Sequence, residues 1–234
     1  MLAIYKREMH AYFTTPTGYI FMAVFLAAAG FLFSLTTLQM QSSDISSYFQ
    51  ILMFAYIVII PLLTMKSFSE EKRMKTEQLL LTSPVSLWGM VMGKFLAAFT
   101  MFFGTVMVSG LYYFVLGIYG EPNWGKIIGC GVAMMLIGIS FISIGLLVSS
   151  LTENQFVAAM STIGVLAGLM AIAVINSLIG NYYVRLVFDW ISIYSRFGNF
   201  SQGIFDFASV LYYVSIAGVC LFLTVRVYEK RRFA

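Results

Sequence analysis

The sequence predicts an all-α membrane protein with six transmembrane helices, and three observations carry that reading. Of 234 residues, 60% are hydrophobic and only 10% are charged, whereas a soluble domain carries about a quarter charged residues. Stretches free of Asp, Glu, Lys and Arg run over 9–43, 45–65, 95–120, 127–152, 154–184 and 207–225. A hydrocarbon core about 30 Å thick takes roughly 20 apolar residues per helix, so each stretch holds one crossing. The remaining charge is gathered into an island. Residues 66–94, KSFSEEKRMKTEQLLLTSPVSLWGMVMGK, hold three of the ten acidic residues (Glu70, Glu71, Glu77) and five of the fourteen basic ones (Lys66, Lys72, Arg73, Lys75, Lys94). The whole of 1–234 reads as one polytopic domain with no room for a second globular unit.

Charge also sets the orientation. Short cytoplasmic loops collect Lys and Arg. With the N-terminus inside, eleven of the fourteen basic residues are cytoplasmic, and only Lys126, Arg185 and Arg196 fall outside. Both termini are therefore expected on the cytoplasmic side of the membrane. The basic residues are split among loops and ends rather than joined in a patch with aromatics, which speaks against a nucleic-acid partner and leaves the lipid bilayer. Cys130 and Cys220 both lie in apolar runs and are expected as free thiols. The apolar run through Ala27–Ala29 continues to Leu38, which favours a retained helix over a cleaved signal.

In order, residues 1–15 read as an amphipathic interfacial helix. Leu2, Tyr5, Met9 and Tyr12 recur at helical spacing, opposite Lys6, Arg7 and His10. Thr15-Pro16-Thr17-Gly18 breaks it. Crossings follow at 18–38 and 48–66, the second with Pro61 near its inner end, where proline tends to kink a membrane helix. In the island, Ser67 and Glu70 have capping-box spacing and Glu71 and Lys75 are i,i+4. Ser83-Pro84 stops the segment, so a short cytoplasmic helix is predicted over about 68–82 within a loop of 67–87. Its three leucines, Leu79, Leu80 and Leu81, either tuck under the bilayer or fill a partner's groove. Ser86 can cap the third crossing, 88–118. The fourth, 127–150, carries Gly131, Gly138 and Gly145 seven apart, a stripe of small residues suited to close helix packing. The fifth is 155–177.

Residues 180–207 do not read as a simple loop, because nine of the 28 are aromatic. Arg185 and Asp189 are i,i+4, and Gly198-Asn199 divides the segment. Two short amphipathic helices dipping into the outer leaflet are predicted, with Trp190 and the tyrosines at headgroup level. An aromatic belt and an outer lid built from Arg185, Asp189, Trp190 and Phe197 are the two readings. The sixth crossing, 208–228, ends in the basic tail RVYEKRRFA.

Chemistry of its own is hard to place in this chain. One histidine, His10, and two distant cysteines make no zinc or haem set. GEPNWGKI at 120–127 nears a phosphate loop, but Ile127 replaces the hydroxyl that would meet magnesium and no strand precedes it. No ionisable residue sits deep in a crossing to relay protons or sodium; Asn176, at a helix end, is the nearest polar candidate. No nucleophile–base pair supports an intramembrane enzyme. If the chain pumps, the energy comes from another polypeptide.

The pattern resembles the transmembrane permease subunits of ABC-2 type exporters along the whole chain. The sharpest match is FSEEKRMKTEQLLLTSPVS at 68–86, followed by Gly93-Lys94, which is similar to the loop of the GldF-like gliding-motility permease branch. The resemblance implies the ABC-2 exporter fold, with an N-terminal interfacial helix, a cytoplasmic coupling helix and an outer re-entrant helical hairpin. It implies that Glu70, Glu71, Lys72, Thr76, Glu77 and Leu79 to Leu81 dock on a separate ABC ATPase subunit, which binds ATP and magnesium. It also implies a second permease copy or a related permease, with room for an accessory membrane subunit. The chain would then be a permease half-transporter without catalysis of its own. The alternative is a non-transporting scaffold or channel-like subunit of a larger complex, such as motility or secretion machinery.

Overall fold

The computed structural model describes residues 1–40, 44–75, 86–120, 122–179 and 182–232. Eleven α-helices are formed among them. A first helix, α1 (Leu2–Thr14), precedes α2 (Pro16–Phe33), which one π-helical turn, Ser34–Leu38, prolongs. Then come α3 (Ser46–Thr64), α4 (Lys66–Arg73), α5 (Leu87–Ser109), α6 (Leu111–Tyr119), α7 (Trp124–Leu151), α8 (Gln155–Leu178), α9 (Tyr182–Ile191), α10 (Ile193–Ser201) and α11 (Phe207–Arg232). Six spans are long and apolar enough to cross a membrane: Pro16–Leu38, Ser46–Arg73, Leu87–Ile118, Trp124–Leu151, Gln155–Asn176 and Phe207–Arg232.

Local chemistry sets the ends. Pro16 opens α2 at a first-turn position, where its missing N–H costs nothing. Gly18 is needed just beyond, since a Cβ there would lie 2.4 Å from the Tyr12 carbonyl oxygen. Ser86, Asn123 and Asn154 cap α5, α7 and α8 by accepting from the amides of Gly89, Lys126 and Phe156.

The bundle is organised around α7, which packs against α3, α4, α5, α8, α10 and α11. Lipid tails are as apolar as leucine, so packing and hydrogen bonds, not water exclusion, hold such helices together. Gly138 brings α5 close: a Cβ there would stand 2.3 Å from the Phe102 ring. That ring is fully buried against Phe25 of α2 and Tyr56 of α3. Gly145 does the same for α3, with a Cβ 2.3 Å from Thr64 Oγ1. Gly131, the third of the expected stripe, has nothing within 4 Å and takes no part in packing within the chain. Ser140 donates to the carbonyls of Leu136 and Tyr213, and Ser143 to that of Ile139.

Three expectations change. The helix predicted over 68–82 begins earlier, at Lys66, and this helix runs to Arg73, with Lys75 in a left-handed backbone, φ 57°; positions 76–82 of the prediction lie outside the described residues. Only Met65, itself in helical conformation, separates α3 from α4, so Ser46–Arg73 forms one nearly continuous rod. Ser67 lies inside that rod rather than capping it. The break in the 180–207 segment falls at Ser192, whose hydroxyl accepts from the Ser195 amide, while Gly198 and Asn199 sit inside α10.

Candidate functional site

At one end of the bundle α1, α4, the start of α5, the end of α7 and the end of α11 meet around a buried cation. Lys94, two turns into α5, is 1% exposed. Its Nζ lies 2.9 Å from Glu71 and 3.1 Å from Glu8 and donates to the Ser67 carbonyl at 2.6 Å. Arg7 closes the cluster, 2.7 Å from Glu8 and 2.6 Å from Glu71. The Phe68 ring lies 5.0 Å from the Lys94 ammonium and packs in turn, tilted by 40°, against Tyr228 of α11. A charge this far from water is tolerable only when paired and hydrogen-bonded, and here two helices, α1 and α4, supply the partners.

Each helix reaches the cluster for a local reason. Ile4, Glu8 and Tyr12 share one face of α1, and Gly93 lets that face approach, since a Cβ on it would meet Ile4 at 3.1 Å. Tyr12 donates to the Leu63 carbonyl and Tyr5 to Thr100, fixing α1 against α3 and α5. Ser149 of α7, one turn beyond Gly145, accepts from the Phe68 and Ser69 amides and donates to the Met65 carbonyl. Gly145 thus lets α3 in close enough for Ser149 to satisfy the α3–α4 junction. Lys72 pairs with Glu153 at 3.1 Å, and Arg231 donates to the Ser150 carbonyl.

The expected docking residues therefore divide. Glu71 faces inward to Arg7 and Lys94 rather than along its helix to Lys75, while Lys72 pairs at the surface with the exposed Glu153. Glu70 is half-buried beside Lys66, which donates to Thr17. Arg73, Met74 and Lys75 stand exposed at the tip. Thr76, Glu77, Leu79, Leu80 and Leu81 lie outside the described residues. Arg7, Glu8 and Lys94 escape a reading of local pattern. The signal for Lys94 is a lone lysine two turns inside an apolar helix, preceded by a glycine.

Burial works against the charged form of Glu8, but Lys94 and Arg7 outweigh it and hold its pKa below the usual 4.5. Its contribution to stability is therefore complete above pH 4.5 and is lost as the pH falls through the lower folded value. The thermal midpoint of the purified chain should fall on acidification below that point, and Glu8→Gln should flatten the slope. An unchanged slope in the variant excludes Glu8 as the titrating group.

At the opposite end, α9 and α10 pack on α8, and α10 also on α7, while Tyr212 and Tyr213 of α11 donate to the carbonyls of Ile191 and Ile193. Asp189 accepts from Asn176 Nδ2 at 2.6 Å and from the Ser195 hydroxyl at 3.2 Å. Arg185 is exposed and, among the described residues, makes no ion pair with Asp189, contrary to the i,i+4 expectation. Trp190 is exposed, with the Arg196 guanidinium 5.5 Å from its ring and 4.8 Å from that of Tyr212. Phe197 is buried. Ser46 ties α3 to α10 by donating to the Ser201 carbonyl at 3.3 Å, and Lys126 lies 3.7 Å from Asp44. His10 is exposed on α1, and Cys130 and Cys220 are free thiols.

Six apolar spans, four of which pack against a fifth, α7, with a charged joint at one end, suggest a multi-pass membrane protein. Residues 21–223 match the family model described as ABC-2 family transporter protein, and the chain belongs to that family. It is the permease component of an ABC transporter, a transport subunit that is not itself catalytic, and membership implies association with an ABC ATPase subunit. No curated protein matches the chain.

Proposed function

We propose that the chain is one half of the membrane part of an ATP-driven exporter in a bacterial inner membrane, with both termini cytoplasmic. The observation that carries this reading is the joint around Lys94. It fuses α1, α4 and α5 into one block and leaves the Arg73–Lys75 tip exposed at the end where most basic residues gather. A block of this kind suits a surface that a separate ATPase grips, with ATP and magnesium held by that ATPase. In this reading α1 lies in the inner interface and α4 begins the coupling element, which continues into Thr76, Glu77 and Leu79 to Leu81. At the outer end α9 and α10 form a re-entrant lid above the exit. A second permease, identical or related, completes the transporter, with α3 and α8 at the dimer interface. The match of 68–86 supports placing it in the gliding-motility branch.

Co-purification tests this. The detergent-solubilised chain should bring down an ABC ATPase, and Arg73→Glu with Lys75→Glu should abolish that recovery while leaving the thermal midpoint in place. The chain alone should not turn over ATP. Glu71 is a poor probe of docking, because its substitution opens the internal joint. ATPase recovery that survives the double charge reversal, or hydrolysis by the isolated chain, refutes the proposal.

A further inference from the structure

A cavity of about 460 Å³ opens among α3, α8, α9 and α10, within the roughly 300–1,000 Å³ typical of small-molecule sites. Its wall joins an apolar side to three distinct polar functions. Phe54 and Tyr194 line it, their ring centroids 6.0 Å apart. Asn176 also lines it and is 4% exposed, yet its Oδ1 has no hydrogen-bond partner among the described residues. Leaving a buried amide oxygen unbonded costs free energy, so the position asks for a donor. Asp189 lines the same cavity and receives both of its hydrogen bonds on Oδ1, so Oδ2 remains open among the described residues. Arg185, on the same wall, carries five donors and has no ion pair among the described residues.

We propose that this cavity binds a zwitterionic phosphate–ammonium headgroup. The ammonium sits between Asp189 Oδ2 and Asn176 Oδ1, the phosphate meets the Arg185 fork, and the adjoining carbon chain lies on Phe54 and Tyr194. An ammonium offers three donors to the two free acceptors, and a guanidinium matches a phosphate bidentately. The headgroup belongs either to a membrane aminophospholipid or to a free phosphoamine. This inference rests on the proposed placement of α9 and α10 at the outer leaflet.

The test uses the full-length chain, delipidated in detergent, without any ATPase. Binding of phosphatidylethanolamine and of phosphatidylglycerol with matched acyl chains is measured by native mass spectrometry, and soluble glycerophosphoethanolamine is added as competitor. Phosphatidylethanolamine should bind on the order of tenfold tighter than phosphatidylglycerol. Asp189→Asn should erase that preference, and Arg185→Gln should weaken both lipids. Competition by the soluble headgroup assigns the free phosphoamine as sufficient, and retention of the lipid despite it assigns the aminophospholipid; either outcome supports the site. If Asp189→Asn does not fold, the exposed Arg185→Gln decides alone. Equal binding of the two lipids by the unaltered chain, or binding by Arg185→Gln equal to it, overturns the proposal. Loss of selectivity with the ATPase still recovered sinks this inference only, and the converse sinks only the transport reading.

Discussion

Lys94→Ala should detach the N-terminal helix from the bundle and lower stability by about 3 kcal/mol. Removing one partner of a buried ion pair typically costs ~3–5 kcal/mol, because the surviving charge stays buried and unpaired. Here Glu8 and Glu71 would lose the ammonium but keep Arg7, which places the effect at the low end. The loss should show as a lower thermal midpoint and as faster proteolysis after Lys6 and Arg7. Combining Lys94→Met with Glu8→Gln and Glu71→Gln should restore most of it, since replacing a whole buried charge set by neutral groups is often neutral or stabilising. If the triple variant is no better than Lys94→Ala, stranded charge is not the source of the penalty.

Gly138→Val should be as damaging, for a steric reason. Its Cβ would stand 2.3 Å from the Phe102 ring. That ring has no free space, being in contact with Phe25 and Tyr56. Overpacking a filled core costs typically ~1–3 kcal/mol, and three rings must shift together, so the upper part of that range is expected. Gly131→Val is the matched control, with nothing within 4 Å; it should stay within about 0.5 kcal/mol. Thermal midpoints of the two variants in one detergent decide the point. Equal losses would mean that valine itself, not the contact with Phe102, disturbs α7.

The six crossings are legible because each is written locally, as a run of apolar residues bounded by charge. Caps at Ser86, Asn123 and Asn154 are local too. Other features need the third dimension. Lys94, Glu8 and Glu71 are separated by as many as 86 positions, and no spacing rule links them. Glu8 hides in α1 because a polar residue beside Lys6 and Arg7 reads as solvated, whereas it shares a face with Ile4 and Tyr12. The seven-residue spacing of Gly131, Gly138 and Gly145 does place them on one side of α7, but it does not say where neighbours stand; only two of the three meet one. In the outer segment the glycine at 198 drew the break, while Ser192, with a hydroxyl able to cap the next turn, marks it.

The nearly continuous rod Ser46–Arg73 has a mechanical consequence. Its 28 residues extend about 42 Å at 1.5 Å per residue, so its extremities sit at opposite faces of the protein. One extremity is gripped by Arg7, Lys94 and Ser149; the other touches α10 through Ser46 and, midway, through Phe54 against Tyr194. A shaft held at both ends this way would carry a movement of the joint to α10, with Pro61 a point along it where a backbone N–H is missing.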